Sequence, residues 1–250
     1  MKLLHLDIET APNTAHVWGL FKQTVSISQL MESSYTLCWA AKWHGVNKVM
    51  FRTVNHADML DELWDLLDEA DVVVHYNGKK FDIPTINKEF ALFGYGPPSP
   101  YKQVDLLLIA RNKFKFPSNK LDYVAQAFGL GKKHPHIGHE LWVQCMNDDV
   151  KAWAMMEKYN KQDVKLLEKL YNKMLPWMDH HPVRSLYDGD GTPTCTNCGS
   201  SHIIKKGVAT TRTQRYQRYK CTKCGTPLRG RFALKHEHPE NILIQESTNG

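Results

Sequence analysis

The chain has 250 residues, of which 42% are hydrophobic and 23% charged, as in an ordinary soluble globular protein. This length allows one well-packed core and a small additional domain. The sequence has no apolar run long enough to span a membrane, and acidic residues occur too early at its N-terminus for a secretory signal. We therefore expect a cytoplasmic protein.

Positive charge is concentrated near the C-terminus. Residues 194–235 contain ten Lys and Arg and no Asp or Glu. The rest of the chain contains 22 basic and 26 acidic residues, a net charge of −4, although the whole chain carries +6. This asymmetry favours a polyanionic partner such as nucleic acid, and a merely solvated basic surface is the alternative.

The chain begins with strands and continues with alternating helices and strands. Apolar runs between turn residues predict strands at 2–8, 35–43, 47–54 and 71–77, the second and third joined by a hairpin at His44–Gly45. Helical spacing predicts helices over 57–70, from Asp82 to just before Gly94, over 104–114, over 119–128 after the cap Ser118, and from about 148 to 177. The histidines at 134–139 and 179–181 are interpreted as polar loop residues. This order favours an α/β class with a mixed sheet flanked by helices.

Two carboxylates interrupt the first strand, LLHLDIET. Asp7 and Glu9 are two residues apart, so they point to the same face near the carboxyl end of the strand. They would repel each other unless a cation joined them, and Mg²⁺ or Mn²⁺ prefers such oxygen ligands. A cap at the strand end is the alternative for Asp7 alone.

Further acids follow other predicted elements. Asp82 comes five residues after Asn77, directly beyond the strand at 71–77. In the last long helix Tyr159 and Asp163 lie at i and i+4, on one face. A solvated helix acid is the alternative for Asp163 alone.

The segments DIET, NGKKFD and YNKQD resemble the three motifs of the DEDD superfamily of 3′–5′ exonucleases, which have an RNase H-like fold. Asp7, Glu9, Asp82 and Asp163 match its four acidic positions. Tyr159 matches the tyrosine subclass, since the position that the histidine subclass would fill is Lys158. The intervening segments are similar to those of phage and bacterial members, which implies the cytoplasm of a bacterium or of a phage-infected host.

The resemblance implies a two-metal hydrolysis of phosphodiesters. Asp7 would bridge two Mg²⁺ or Mn²⁺ ions, Glu9 and Asp163 would hold the ion that carries the attacking water, and Asp82 would act on the second ion. Tyr159 would orient that water, because a phenol with a pKa of about 10 is a poor free base. Asn77 and Phe81 are expected to support the site or the terminal nucleotide.

Four of the six cysteines form two CxxC pairs in the basic segment, with 22 residues between the pairs. Thiolates at this spacing predict one structural Zn²⁺ held by Cys195, Cys198, Cys221 and Cys224. Two disulfides are the alternative, but nothing in the sequence indicates secretion. Cys38 and Cys145 are expected to be buried packing residues.

The segment between the cysteine pairs predicts a hairpin with strands near 202–208 and 213–220, and it resembles zinc ribbons attached to transposases. Its second strand alternates cations and aromatic rings that can neutralise phosphates and stack on bases: Arg215, Tyr216, Arg218, Tyr219 and Lys220. Packing of one tyrosine in the ribbon core is the alternative.

The sequence therefore predicts a nuclease domain at 1–178, a linker at 179–193, a zinc ribbon at 194–235 and a tail at 236–250. The expected activity is release of nucleotides from single-stranded or frayed 3′ ends of DNA, with the ribbon as a tether. Replication or repair proteins are further expected partners. An RNase D-like exoribonuclease and an inactive DNA-binding accessory protein are the alternatives.

Overall fold

A computed structural model describes residues 1–135, 137–189, 191–235 and 243. The chain divides into two compact units, Met1–Met174 and a second unit that begins at Leu175. The strands are β1 Leu3–Thr10, β2 Thr14–Ala15, β3 Leu30–Glu32, β4 Thr36–Trp43, β5 Met50–Thr53, β6 Val72–His75, β7 Lys102–Asp105, β8 Ile203–Thr210, β9 Arg215–Cys221 and β10 Pro227–Ala233. The helices are α1 Met59–Glu69, α2 Asp82–Leu92, α3 Leu106–Lys113, α4 Leu121–Ala127, α5 Glu140–Met146, α6 Val150–Met174 and α7 Ser185–Asp188.

The first unit contains a five-stranded sheet in the order β5-β4-β1-β6-β7. The central strand β1 pairs antiparallel with β4 and parallel with β6, and β6 pairs parallel with β7. The sheet is therefore mixed, and the carboxyl ends of β1, β6 and β7 lie at one edge. The predicted α/β class with a mixed sheet flanked by helices is confirmed.

The two faces of β1 have different chemistry because side chains alternate along a strand. Leu4, Leu6 and Ile8 pack in a core with residues of α1 and α2. The opposite face carries Asp7 and Glu9, and the long helix α6 packs against β1 and β4 on that side. Helices thus cover both faces, and β1 presents its carboxylates to α6.

The structure corrects the sequence prediction between 102 and 146. Lys102–Asp105 forms the edge strand β7, so the predicted helix at 104–114 begins only at Leu106. Residues 102–105 have too short an apolar run to indicate a strand, and their pairing with β6 decides the conformation. Lys120 rather than Ser118 is the N-cap of α4, and α5 lies within a segment that was not predicted to be helical.

The second unit contains a three-stranded sheet in the order β10-β9-β8. The predicted two-stranded hairpin is therefore incomplete, because β10 pairs with the other edge of β9. The predicted linker 179–193 contains the short helix α7. The predicted tail 236–250 lies outside the described residues, except for Leu243. Residue 136 of the histidine-rich loop also lies outside them. No helix in the described part of the chain is long and apolar enough to cross a membrane.

Candidate nuclease site and cysteine cluster

Asp7 and Glu9 lie side by side on the face of β1 that is turned toward α6. The carboxamide of Asn160 donates to Asp7 Oδ2 over 2.7 Å, and the indole of Trp142 donates to Glu9 Oε2 over 3.2 Å. Asn160 belongs to α6 and Trp142 to α5, so each carboxylate of the strand is held by a helix. Neither helical partner was predicted.

Helix α6 brings a third carboxylate to this pair. Asp163 is 1% exposed, and carboxylate oxygens of Asp7, Glu9 and Asp163 all lie within 4.8 Å of one another. Tyr159 is one turn earlier on α6, and its ring lies edge-on to that of Trp142, with the ring centroids 5.9 Å apart. The structure thus gathers residues that are up to 156 positions apart in the sequence.

Asp82 reaches the same part of the sheet from the other side. It is the first residue of α2, it is buried, and its Oδ1 accepts from the backbone N–H of Ile8 over 3.2 Å. Ile8 lies between Asp7 and Glu9, so Asp82 is attached to the segment of β1 that carries them. Asp82 does not belong to the 4.8 Å group of three carboxylates.

The acids have raised pKa values because they are buried together. Burial, followed by repulsion from Asp163, Glu9 and Asp82, raises the pKa of Asp7 well above its usual range. Burial also raises the pKa of Glu9 to about 8 and that of Asp82 to about 7. Carboxyl groups in this arrangement ionise together only if positive charge is supplied, and a hard divalent cation fits an all-oxygen donor set.

Lys133 provides positive charge at this position. Its ammonium group forms an ion pair with Asp163 and donates to the hydroxyl of Tyr159 over 2.9 Å. Burial lowers the pKa of Lys133. The carboxylate of Asp163 and the neighbouring Tyr159 raise it by more than burial lowers it, so the net shift of this pKa is upward. Burial and the negative charge of Glu9 raise the pKa of Tyr159, so its hydroxyl stays protonated at neutral pH.

A cavity of about 740 Å³ opens beside the carboxylates. Its lining combines Asp7 and Tyr159 with three cationic side chains, Arg111, Lys120 and Lys133. The remaining lining residues are Tyr76, Asn77, Leu107, Asn119, Leu121 and Asp122. A cavity lined by both carboxylates and cations can accommodate a phosphate next to a bound divalent cation.

Asn77 lines this cavity in the left-handed backbone region, with φ of 71°. The carboxylate of Asp105 stabilises this turn, because its Oδ1 accepts from the N–H groups of Asn77 and Leu107, over 2.9 and 3.0 Å. Asp105 also serves as the N-cap of α3. Phe81 is 45% exposed and is not among the described residues that line the cavity.

Sequence reasoning missed Lys133, Asn160 and Trp142. Asn160 could have been predicted from the sequence, because it lies within YNKQD on the buried face of an amphipathic helix. Lys133 belongs to a loop 26 residues before Tyr159, and Trp142 to a short helix 133 residues after Glu9. No local pattern connects such distant positions.

In the second unit the four predicted cysteines form one cluster. Sγ of Cys195 lies 3.6 Å from Sγ of Cys224, and Sγ of Cys198 lies 3.6 Å from Sγ of Cys221. All four sulfur atoms lie within 4.8 Å of one another, and the cysteines are free thiols. Tetrahedral Zn²⁺ with Zn–S bonds of about 2.3 Å separates its sulfurs by roughly 3.8 Å, so the cluster could bind zinc.

The five predicted nucleic-acid-binding residues of the ribbon lie on its central strand, β9. Arg215, Arg218 and Lys220 are exposed, whereas Tyr216 and Tyr219 are partly buried. The guanidinium group of Arg229 on β10 lies 4.2 Å from the ring centre of Tyr216. The strand therefore presents cations to solvent, and its aromatic rings pack partly against the sheet.

The mixed sheet with helices on both faces is an RNase H-like nuclease fold. The chain belongs to the RNase_H superfamily, because the model of that family matches residues 4–175. No curated protein matches the chain. The family B DNA polymerase from the hyperthermophilic archaeon Pyrobaculum calidifontis has a similar structure, with a TM-score of 0.55 and 19% sequence identity.

This similarity covers 70% of the present chain and 24% of the polymerase chain, so the matched part is about a quarter of the polymerase. At 19% identity it concerns the fold alone. The resemblance to nucleases inferred from the sequence is therefore confirmed at the level of the superfamily.

Proposed function

We propose that this chain is a metal-dependent 3′–5′ exonuclease that removes nucleotides from single-stranded or frayed 3′ ends of DNA. The observation that carries the proposal is the convergence of Asp7, Glu9 and Asp163 within 4.8 Å, beside a cavity with cationic walls. Membership of the RNase_H superfamily supports a nuclease, and the basic segment 194–235 supports a nucleic-acid substrate.

Asp7, Glu9, Asp82 and Asp163 would hold two Mg²⁺ or Mn²⁺ ions. These ions would supply an activated water and neutralise charge on the phosphate oxygens. Asn160 and Trp142 would keep Asp7 and Glu9 oriented toward them.

The other residues of the cavity would act on the water and on the substrate. Tyr159 stays protonated, so its hydroxyl would orient the attacking water by hydrogen bonding rather than remove a proton from it. Lys133, Arg111 and Lys120 would contact phosphates of the bound strand. Asn77 would support the terminal nucleotide, and Phe81 would stack on it from outside the described cavity wall.

The ribbon would bind one structural Zn²⁺ through Cys195, Cys198, Cys221 and Cys224 and hold the nucleic acid through its basic strand. A domain of this size has too small a core to fold without its metal. No residue pattern that reads bases is present on β9, so the expected binding is independent of sequence.

The test is degradation of matched DNA and RNA oligonucleotides, single- and double-stranded, labelled at the 5′ or the 3′ end. With Mg²⁺ or Mn²⁺ the wild-type chain should shorten 5′-labelled single-stranded DNA stepwise from its 3′ end, and a chelator should stop the reaction. Faster loss of RNA would establish an exoribonuclease instead. An intact 3′ end with both metals would establish an inactive binding protein.

Asp7→Asn is the matched variant for this test. It should lower the rate by at least about 10³-fold, because loss of a metal ligand removes several kcal/mol of transition-state stabilisation. Its affinity for DNA should stay within about twofold, since the ribbon segment 194–235 carries ten cations without an acid. A parallel loss of cleavage and binding would contradict this division of roles.

A further inference from the structure

A second group of possible metal ligands lies in the first unit, outside the acidic cluster. It consists of His5 on β1, His44 immediately after β4, and Glu168 on α6. Neither the sequence motifs nor the proposed nuclease mechanism uses these residues. His5 is fully buried, whereas the side chains of His44 and Glu168 are 23% and 18% exposed.

Two of the three distances between the ligand atoms are close to those of a tetrahedral site. His5 Nε2 lies 3.1 Å from His44 Nδ1, and His44 Nδ1 lies 3.5 Å from Glu168 Oε1. Bonds of about 2.0–2.1 Å to zinc place tetrahedral ligands roughly 3.3–3.4 Å apart, and the two distances bracket this value. One donor atom from each of the three residues lies within 4.8 Å of the other two.

The ring of His5 is fully buried beside that of His44. Within the described residues, His5 Nδ1 has no hydrogen-bond partner, so the Nε2 that faces His44 is its polar contact. Two imidazole nitrogens and one carboxylate oxygen suit Zn²⁺ rather than Mg²⁺.

Surrounding groups already fix the ligands. Glu168 Oε1 accepts from the N–H of Gly45 over 2.7 Å, and its Oε2 pairs with Lys42 over 2.5 Å. The ring of Tyr171 lies edge-on to both imidazoles, with centroids 5.5 Å from His5 and 5.3 Å from His44. Hydrogen bonds to a ligating carboxylate are among the supporting contacts that metal sites use to orient their ligands.

We propose that His5, His44 and Glu168 bind a zinc-type cation that ties β1 and β4 to α6. The partial exposure of His44 and Glu168 provides an entry path and leaves a fourth position for water. His5 is two residues before Asp7 on β1, and Glu168 is five residues after Asp163 on α6. The cation therefore links the two elements that carry the candidate nuclease acids, while its binding does not require the proposed nuclease activity.

The experiment measures zinc per chain in the full-length protein. Wild type and variants are equilibrated with Zn²⁺ in excess Mg²⁺, which occupies hard-oxygen sites, then separated from free metal and analysed by mass spectrometry. Wild type should retain about two zinc ions, one in the cysteine cluster and one here. His44→Ala and Glu168→Gln should each retain about one, and His16→Ala, which removes an exposed histidine of the same unit, should retain two.

Equal zinc contents in wild type and both site variants would overturn the proposal. X-ray absorption of the zinc-loaded wild type keeps the test decisive if a variant fails to fold. A mixture of sulfur and nitrogen or oxygen ligands supports the site, and sulfur ligands alone overturn it. Both readouts are independent of cleavage, so the zinc site and the nuclease proposal can fail separately.

Discussion

Asn160 shows how much a single uncharged side chain contributes to the geometry of the acidic cluster. It is fully buried, and its carboxamide donates to Asp7 Oδ2, with a longer contact of 3.4 Å to the Asp7 carbonyl oxygen. One oxygen of the carboxylate is thereby fixed, and the carboxylate as a whole cannot rotate freely. This restriction orients Asp7 before any cation arrives.

We expect Asn160→Ala to raise the Mg²⁺ concentration for half-maximal cleavage by about 10–100-fold, the usual effect of removing a group that orients a metal ligand. The rate at saturating Mg²⁺ should fall much less. Metal titrations of the cleavage rate test this, with Asn172→Ala, an exposed asparagine of the same helix, as the control. An unchanged Mg²⁺ dependence would exclude the orienting role.

The buried acids also predict an unusual pH dependence of stability in the metal-free protein. Burial raises the pKa of Glu9 to about 8 and that of Asp82 to about 7, against about 4.3 and 3.9 in an unfolded chain. Between about pH 4 and pH 8 the folded state therefore binds more protons than the unfolded state. The free energy of unfolding should fall as the pH rises through this window.

Thermal melting in a chelator should accordingly show a lower Tm at about pH 8 than at about pH 5.5. Mg²⁺ or Mn²⁺ should raise the Tm more at the higher pH, because ionised carboxylates bind the cation. The double variant Asp7→Asn with Glu9→Gln should reduce both effects. A Tm in chelator that rises with pH in the wild type but not in this variant would contradict the argument.

At the scale of elements, the turn between β6 and α2 has a strict packing requirement. Gly78 lies in this turn, and a Cβ atom there would come within 2.5 Å of Cγ of the buried His75. His75 itself contacts Gln103 on β7 over 3.1 Å. The absence of a side chain at Gly78 therefore allows the turn to fold back over β6 and bring Asp82 to β1.

Gly78→Ala should lower the free energy of unfolding by about 1–3 kcal/mol, the usual cost of overpacking a buried site. Gly96→Ala is the matched control, because no heavy atom lies within 4 Å of the added Cβ and its φ is not positive. Its effect should be within about 0.5 kcal/mol. Urea unfolding of both variants tests the difference, and equal stabilities would contradict the clash.

At the scale of the whole molecule, positive charge is concentrated in one segment of the second unit. The basic segment 194–235 carries ten cations without an acid, and the remainder of the chain is acidic overall. Counterion release makes binding through such a segment strongly dependent on salt. The proposed tether can therefore be tested without reference to cleavage.

Arg215→Ala combined with Arg218→Ala should weaken binding to single-stranded DNA and flatten its salt dependence. If each arginine neutralises one phosphate, the slope of log affinity against log salt should decrease by about 1.4 in magnitude. Fluorescence anisotropy at several salt concentrations measures this slope. Lys48→Ala with Lys151→Ala, which removes two exposed cations of the first unit, should leave it unchanged. A smaller slope for the double lysine variant, with an unchanged slope for the double arginine variant, would place the binding surface on the first unit.

The sequence by itself determined the class of fold and the candidate site residues. The alternation of β1 places Asp7 and Glu9 on one face, the spacing in α6 aligns Tyr159 with Asp163, and the CxxC pairs indicate a thiolate cluster. Each of these inferences depends on the period of one element or on the reach of one tight turn, which a single segment of sequence contains. The roles assigned to the residues stay predictions.

Tertiary structure alone decided how these elements meet. It brought Lys133, Asn160 and Trp142 to the carboxylates, turned residues 102–105 into the edge strand β7, and added β10 to the ribbon. The physical reason is that such contacts arise from sheet pairing and helix packing between distant segments. The free energies that favour these contacts depend on two segments at once, so the sequence pattern of one segment does not predict them.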